Sequence, residues 1–328
     1  MSLPEIKVRR LPERFVSDDT RVIARFFDPG GDARTHSLVD RVMSLTSSQV
    51  SSTLTHTLQR YNRRHRDIGD IFLEHFGRLA REHQLPDGID RARQLLIGAY
   101  FTMEYSVESA ALFNPSIIAA PNQDGIPPGA LRIIMSLRAT GEGHVSSIVF
   151  RTGMILANGS LVFDAPSPYI HRVKPVPNQM LDRAWLRRTL IAMDLYTDAV
   201  QVILDQLDDQ FSLQQVERLC YQAEDSSVFK DASTHILWVC HSNYVLDIPD
   251  EADPSEIVIF PTTENESHGI EDARFVRFYD DDGTIMYYGT FSAYNGFHVQ
   301  SQLMEIRDFK SVRVRTLHGH YAQNKGLA

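Results

Sequence analysis

Cysteine, positive charge and long apolar runs are all in short supply in this chain. It holds two cysteines, Cys220 and Cys240, among 328 residues. Two thiols make neither a disulfide framework nor a zinc site, and they fit a reducing, cytoplasmic compartment. The 33 Lys and Arg are outnumbered by 42 Asp and Glu, leaving a formal charge of −9, which argues against the basic face that a nucleic acid requires. No run of about 18 apolar residues occurs, so no membrane span is expected. The opening Met1-Ser-Leu-Pro-Glu-Ile-Lys7 lacks the apolar stretch of a signal peptide. Neither His-Glu-x-x-His, Cys-x-x-Cys nor Gly-x-Ser-x-Gly occurs, and Gly141-Glu-Gly-His144 lacks the Lys-Ser/Thr of a phosphate-binding loop, so it reads as a hairpin turn. No metal and no cofactor is expected.

What is present suits a soluble globular protein: 43% of residues are hydrophobic and 23% charged, enough chain for one large or two ordinary domains. Residues 1–36 read as an arm or a short strand ahead of the turn Asp28-Pro-Gly-Gly31. From Ser37 to about Thr102 the period is helical: Val50, Leu54 and Leu58 recur every four residues, Ile68 to Leu79 follow suit, and Ile89 to Tyr100 make a third candidate. The basic run Arg60-Tyr-Asn-Arg-Arg-His-Arg66 is either a solvated helix end or part of an anion-binding rim.

Strand patterns begin at Asn114. Pro115–Ala119, Leu131–Arg138, His144–Arg151 and the Met154–Phe163 hairpin, turning at Asn158-Gly159, make a meander of about four strands. Helical spacing returns from Asn178 to about Gln222, with Ser212-Leu-Gln-Gln215 as a capping box. A second meander is expected from Thr234, beginning with His235–Cys240 as a strand and continuing through Ile257–Phe260, Arg274–Tyr279, Ile285–Ser292, His298–Ile306 and Ser311–Leu317.

The stretch richest in chemistry is Gly269-Ile-Glu-Asp-Ala-Arg274, where Glu271 and Asp272 stand beside Arg274 at the mouth of an apolar strand. Alone, such a group reads as a surface ion pair. It parallels the lead-in to the first meander, Glu108–Ser116, and Thr140–Ser147 parallels Ala293–Ser301. Repetition of a strand meander is a mark of propellers.

Glu104-Tyr-Ser, Phe113-Asn-Pro-Ser116, Gly141-Glu-Gly-His-Val-Ser-Ser147 with Phe150-Arg151, and Gly269–Arg274 together resemble glycoside hydrolase family 130, the β-mannoside phosphorylases and β-1,2-mannosidases. The resemblance spans roughly residues 100–328. It implies a mainly β fold of five-bladed β-propeller type, partly present here: an arm and helical extension over 1–100, and a partial propeller catalytic domain over 101–328 with a helical insert at about 178–225. The family continues into further strands where this chain has Lys325-Gly-Leu-Ala328, so a fragment, or a second completing chain, is implied. By the same resemblance Asp272 is the general acid, and Asn114, Ser116, Arg138, Glu142, His144, Glu271, Arg274 and Tyr294 bind substrate. Lys325, Arg138 and Arg151 are the candidates for phosphate.

The implied activity is inverting phosphorolysis of β-mannosides to α-mannose 1-phosphate. It needs an acid but no base, because phosphate, a co-substrate here, is itself the nucleophile. The implied partners are a mannose-containing oligosaccharide and inorganic phosphate, without nucleic acid or membrane, and the helical segments offer a route to a homo-oligomer. A hydrolase with Glu142 or Glu264 as base, and a non-catalytic carbohydrate-binding fragment, are the alternatives.

Overall fold

The computed structural model describes residues 10–176, 179–223, 227–249, 252–307, 309–319 and 322. The arm is strand β1 (Asp18–Phe26), followed by helices α1 (Asp32–Met43), α2 (Ser47–Tyr61), α3 (Ile68–Glu82) and α4 (Arg91–Tyr100). A capping box starts α2: the Thr46 hydroxyl accepts from the Gln49 N–H at 3.3 Å, and the Gln49 side-chain Oε1 accepts from the Thr46 N–H at 2.9 Å. The apolar positions read from the period turn inward, where Val39, Val42, Val50, Leu79, Leu96 and Phe101 close one core.

Helices α3 and α4 cross at Gly98, where a Cβ would stand 1.8 Å from the Phe72 carbonyl oxygen. A backbone carbonyl cannot swing aside as a side chain can. Gly98→Ala is therefore expected to cost about 1–3 kcal/mol or more by overpacking. Its urea midpoint should fall, and an unchanged midpoint would show that the helices separate freely.

Strand β2 (Thr102–Glu108) follows α4 and pairs antiparallel with β1. Thr102 ties the two layers together. Its hydroxyl donates to the Gly98 carbonyl at 2.7 Å, so its oxygen is left to accept from His75 Nδ1, also at 2.7 Å. That places a proton on His75 Nδ1. Burial pushes its pKa down from 6.5 to about 4. The unfolded chain therefore binds the extra proton first, and His75 should erode stability as pH falls from about 6.5 to about 4, with no further loss below. Urea midpoints across that window should lose this slope in His75→Gln, and an identical slope in both proteins would contradict the assignment.

Strands β3 (Ala111–Ala119), β4 (Leu131–Thr140) and β5 (Ser146–Ile155) form the first antiparallel meander, and β6 (Leu161–Phe163) adds to β5 through the expected Asn158-Gly159 turn. After the short β7 (His171–Arg172) and β8 (Lys174–Pro175) comes a second helical unit. It consists of β9 (Met180–Asp182), α5 (Arg183–Ala192), α6 (Asp198–Leu204), β10 (Gln210–Ser212), α7 (Leu213–Gln222) and α8 (Ser227–His241). Its own core gathers Leu186, Leu190, Ile203, Phe211, Val216 and Ile236, and the Ser212–Gln215 capping box opens α7 as predicted. The chain then returns to strands: β11 (Tyr244–Asp247), β12 (Ile257–Ile259), β13 (Gly269–Tyr279), β14 (Ile285–Tyr294), β15 (Val299–Ile306) and β16 (Ser311–Thr316).

These strands make one large mixed sheet, ordered β3-β4-β5-β13-β14-β15-β16-β11-β8, with β6 and β12 on β5 and β7 on β12. The two meanders join where β5 and β13 run parallel at Ser146 and Gly269. A Cβ at Gly269, whose φ is +137°, would lie 2.8 Å from the Ser146 nitrogen, so only glycine allows this junction.

The fold is not the expected mainly β, five-bladed propeller. The described residues are 34% helix and 33% strand, and they hold a mixed sheet with no closed barrel or propeller. Two differences account for it. The meanders merge through Ser146 and Gly269 instead of standing as separate blades. The helices also take more chain than their periods suggested: His235–Cys240, read as a strand, lies inside α8, because a short apolar run does not distinguish a buried strand from a buried helix. No helix among the described residues is long and apolar enough to cross a membrane.

Candidate active site

Strands β3 and β13 are each interrupted by one extra residue. Phe113 pairs with Arg138 and Ser116 with Ser136, while Glu271 pairs with Ser292 and Arg274 with Thr290, so three steps on one strand face two on its partner. The residue at each bulge has left-handed backbone, Asn114 at φ 54° and Asp272 at φ 55°. Asn and Asp occupy this region at less cost than other side-chain-bearing residues. Strained backbone of this kind clusters at working sites, and these two bulges face each other: Asn114 Nδ2 donates to Asp272 Oδ1 in a short hydrogen bond.

Further bonds stitch β13 to β3. Arg274 Nη1 donates to the Asn114 carbonyl at 3.0 Å, and the Phe275 N–H donates to Ser116 Oγ at 3.0 Å. Arg138, directly opposite Phe113 on β4, lies with its guanidinium carbon 4.9 Å from the centre of that ring. It donates from Nε to Ser146 Oγ at 3.0 Å, from Nη1 to Asp272 Oδ1 at 3.3 Å, and from Nη2 to a Glu271 carboxylate oxygen. Asp272 Oδ1 thus receives two donors. Oδ2 has no hydrogen bond among the described residues. With its side chain 34% exposed, Asp272 is open to an incoming molecule, whereas Arg138, at 19%, is its more buried support.

The structure therefore brings together Asn114, Ser116, Arg138, Glu271, Asp272 and Arg274. Tyr294 borders them, opposite Gly269, but its hydroxyl donates to the Gly296 carbonyl at 2.9 Å and its ring meets His268 edge-on. Glu142 and His144 are exposed in the loop joining β4 to β5, and His144 is left-handed at φ 62°. The Glu142 carboxylate accepts from the Ser106 N–H at 3.4 Å, and no hydrogen bond or ion pair links either residue to Asp272 among the described residues.

Arg151 is placed elsewhere. It is buried, donating to Glu108 at 2.6 Å on one side and to its neighbour's carbonyl, Phe150, at 2.9 Å on the other, so it belongs to the internal ion network rather than to an open phosphate site. Lys325 lies outside the described residues. Ser146, Phe113 and Gly269 are the participants that sequence reading left off the site. Asn114-Pro115 carried the usable signal for the bulge, since Pro cannot donate to a ladder and inside a strand pattern marks an edge or a bulge.

Among the described residues no three His, Cys, Asp or Glu gather as a metal site. In comparison with known proteins, no family model matches the chain, and neither a curated protein nor a solved structure shows significant similarity to it. The site residues present a carboxylate pair bridged by one guanidinium, with one Asp272 oxygen that has no hydrogen bond among the described residues.

Proposed function

We propose that this site is that of an inverting glycoside phosphorylase acting on β-mannosides, with Asp272 as the general acid. One observation carries the reading: Asp272 Oδ1 is held by Asn114 and Arg138 while Oδ2 has no hydrogen bond among the described residues, the arrangement a positioned proton donor needs. Oδ2 carries the proton to the leaving-group oxygen, directly or through a sugar hydroxyl. A phosphate oxygen attacks the anomeric carbon from the opposite face as the glycosidic C–O bond breaks, giving α-mannose 1-phosphate and the shortened sugar.

The family resemblance supports this reading through separate stretches, Phe113–Ser116 and Gly269–Arg274, whose residues meet by hydrogen bonds. The mannoside class and the use of phosphate rest on that resemblance. Of the two phosphate candidates among the described residues, Arg138 is the one beside Asp272.

The test is the reverse reaction: phosphate release from α-mannose 1-phosphate with mannose or a mannooligosaccharide as acceptor, in wild type and Asp272→Asn. Release by the wild type that is lost in the variant is the expected result. Mannoside cleavage independent of phosphate would replace the reading with a hydrolase. Sugar binding without turnover in either assay would reduce the protein to a binding function.

A further inference from the structure

A cleft of about 730 Å³ opens between β1, α3 and the β7–β8 segment, lined by none of the residues around Asp272. Two of its arginines share one aromatic ring: the guanidinium carbons of Arg25 and Arg172 each lie 5.2 Å from the centre of Phe260, and that of Arg25 also lies 5.1 Å from Tyr105. Both flat cations pack against that buried ring. Among the described residues neither makes a salt bridge. Arg172 has a single long bond, from Nη2 to the Pro261 carbonyl at 3.3 Å, and its Nε is buried without a partner.

Among the described residues no carboxylate bonds to either arginine, and Glu74 acts on Arg172 only through its charge. Glu256 is engaged by Arg66 and by the Ser167 hydroxyl, and Glu74 by Lys174 at 2.5 Å. Asp67 and Asp70 also line the cleft, and neither bonds to Arg25 or Arg172. Burial first, and the Arg25 charge second, hold the Arg172 guanidinium below its ordinary pKa against the opposing pull of Glu74, a cost that an added anion would relieve.

We propose that this cleft binds a phosphoryl group, free or carried on a small molecule, at Arg25 and Arg172. Two guanidinium forks match the oxygens and double charge of a phosphoryl group, and the volume is that of a small-molecule site rather than of a bare ion. Arg66, from the basic run before α3, stacks 4.5 Å over Tyr169 at the same cleft, giving a ligand body a neighbouring wall. The site is independent of the Asp272 reading.

Arginine footprinting with phenylglyoxal and mass spectrometry tests it on the wild-type protein. Millimolar inorganic phosphate or mannose 6-phosphate should slow modification of Arg25 and Arg172 several-fold, leave Arg187 in the second helical unit unchanged, and be matched by no protection from acetate. Stronger protection by mannose 6-phosphate identifies a phosphorylated small molecule, and equal protection identifies free phosphate. No protection at either arginine overturns the proposal, as does equal protection by acetate. In parallel, the rise in melting temperature that phosphate gives the wild type and Asp272→Asn should be clearly smaller in Arg25→Gln/Arg172→Gln, any remainder coming from the phosphate site proposed beside Arg138. An equal rise in the double variant overturns it too. If that variant does not fold, the footprint decides alone.

Discussion

Glu108→Gln is expected to remove about 3–5 kcal/mol of stability, the usual cost of breaking a buried ion pair from one side. Glu108 is fully buried and stands between two arginines, accepting from Arg21 Nε at 2.8 Å and from Arg151 Nη2 at 2.6 Å. Arg21 is itself only 1% exposed, and its other nitrogens are bound by the carbonyls of Ser167 and Ser255. With the carboxylate gone, two buried guanidinia keep only carbonyl dipoles, and the glutamine amide offers a single acceptor oxygen where two were needed.

Because Arg21 lies on β1, Glu108 on β2 and Arg151 on β5, the loss should loosen the attachment of the arm to the sheet before anything else. Equilibrium urea unfolding measures the size of the effect, and amide exchange at β1 its location. The comparison is Glu82→Gln, which removes the exposed pair with Arg78 on α3 and is expected to cost about 0.3–0.5 kcal/mol. Equal losses in the two variants would mean that the central ion network contributes no more than a surface pair.

That network also shows where sequence reading stops. Arg151 ends a strand next to a motif, and nothing local in the sequence says that it is buried or that Glu108 and Arg21 lie against it. Burial of a charge is a property of the assembled sheet. The same limit applies to the joining of the meanders, which depends on one parallel contact between Ser146 and Gly269, residues distant in the chain. Local signals fared better. The helical periods of α2–α4, the Ser212 capping box and the Asn158-Gly159 hairpin are each set by neighbours within one or two turns, and each is present. The His235–Cys240 run has no period to read, so its place in α8 was decided by packing.

The site stands between these cases. Asn114, Arg138, Glu271, Asp272 and Arg274 were marked by a family pattern and do converge, but the bulges that turn Asn114 toward Asp272 were hidden, apart from the hint of a proline at position 115. Glu142 and His144 were marked by the same pattern, and they stand on the neighbouring loop with no bond to Asp272 among the described residues.

Asp272→Asn is expected to lower turnover by about 10²–10⁴-fold, the range for loss of a general acid, with little change in stability. The geometry makes it a clean substitution. Asparagine tolerates the left-handed backbone at φ 55° as aspartate does, and its amide oxygen can accept from Asn114 and Arg138 where Oδ1 does now. What disappears is the second oxygen's capacity to carry a proton. Asp272→Ala removes that capacity as well, but adds the strain of a left-handed alanine, about 1–2 kcal/mol, and frees both donors. The two variants should therefore share a rate defect and differ in melting temperature. A rate within about tenfold of wild type in Asp272→Asn would move the proton donor elsewhere, with Glu271, the other carboxylate on Arg138, as the next residue to replace. If both Asp272→Asn and Asp272→Ala lost activity in proportion to lost stability, the bulge would be a structural joint between β3 and β13. The unbonded oxygen would then be solvent-facing surface with no part in proton transfer.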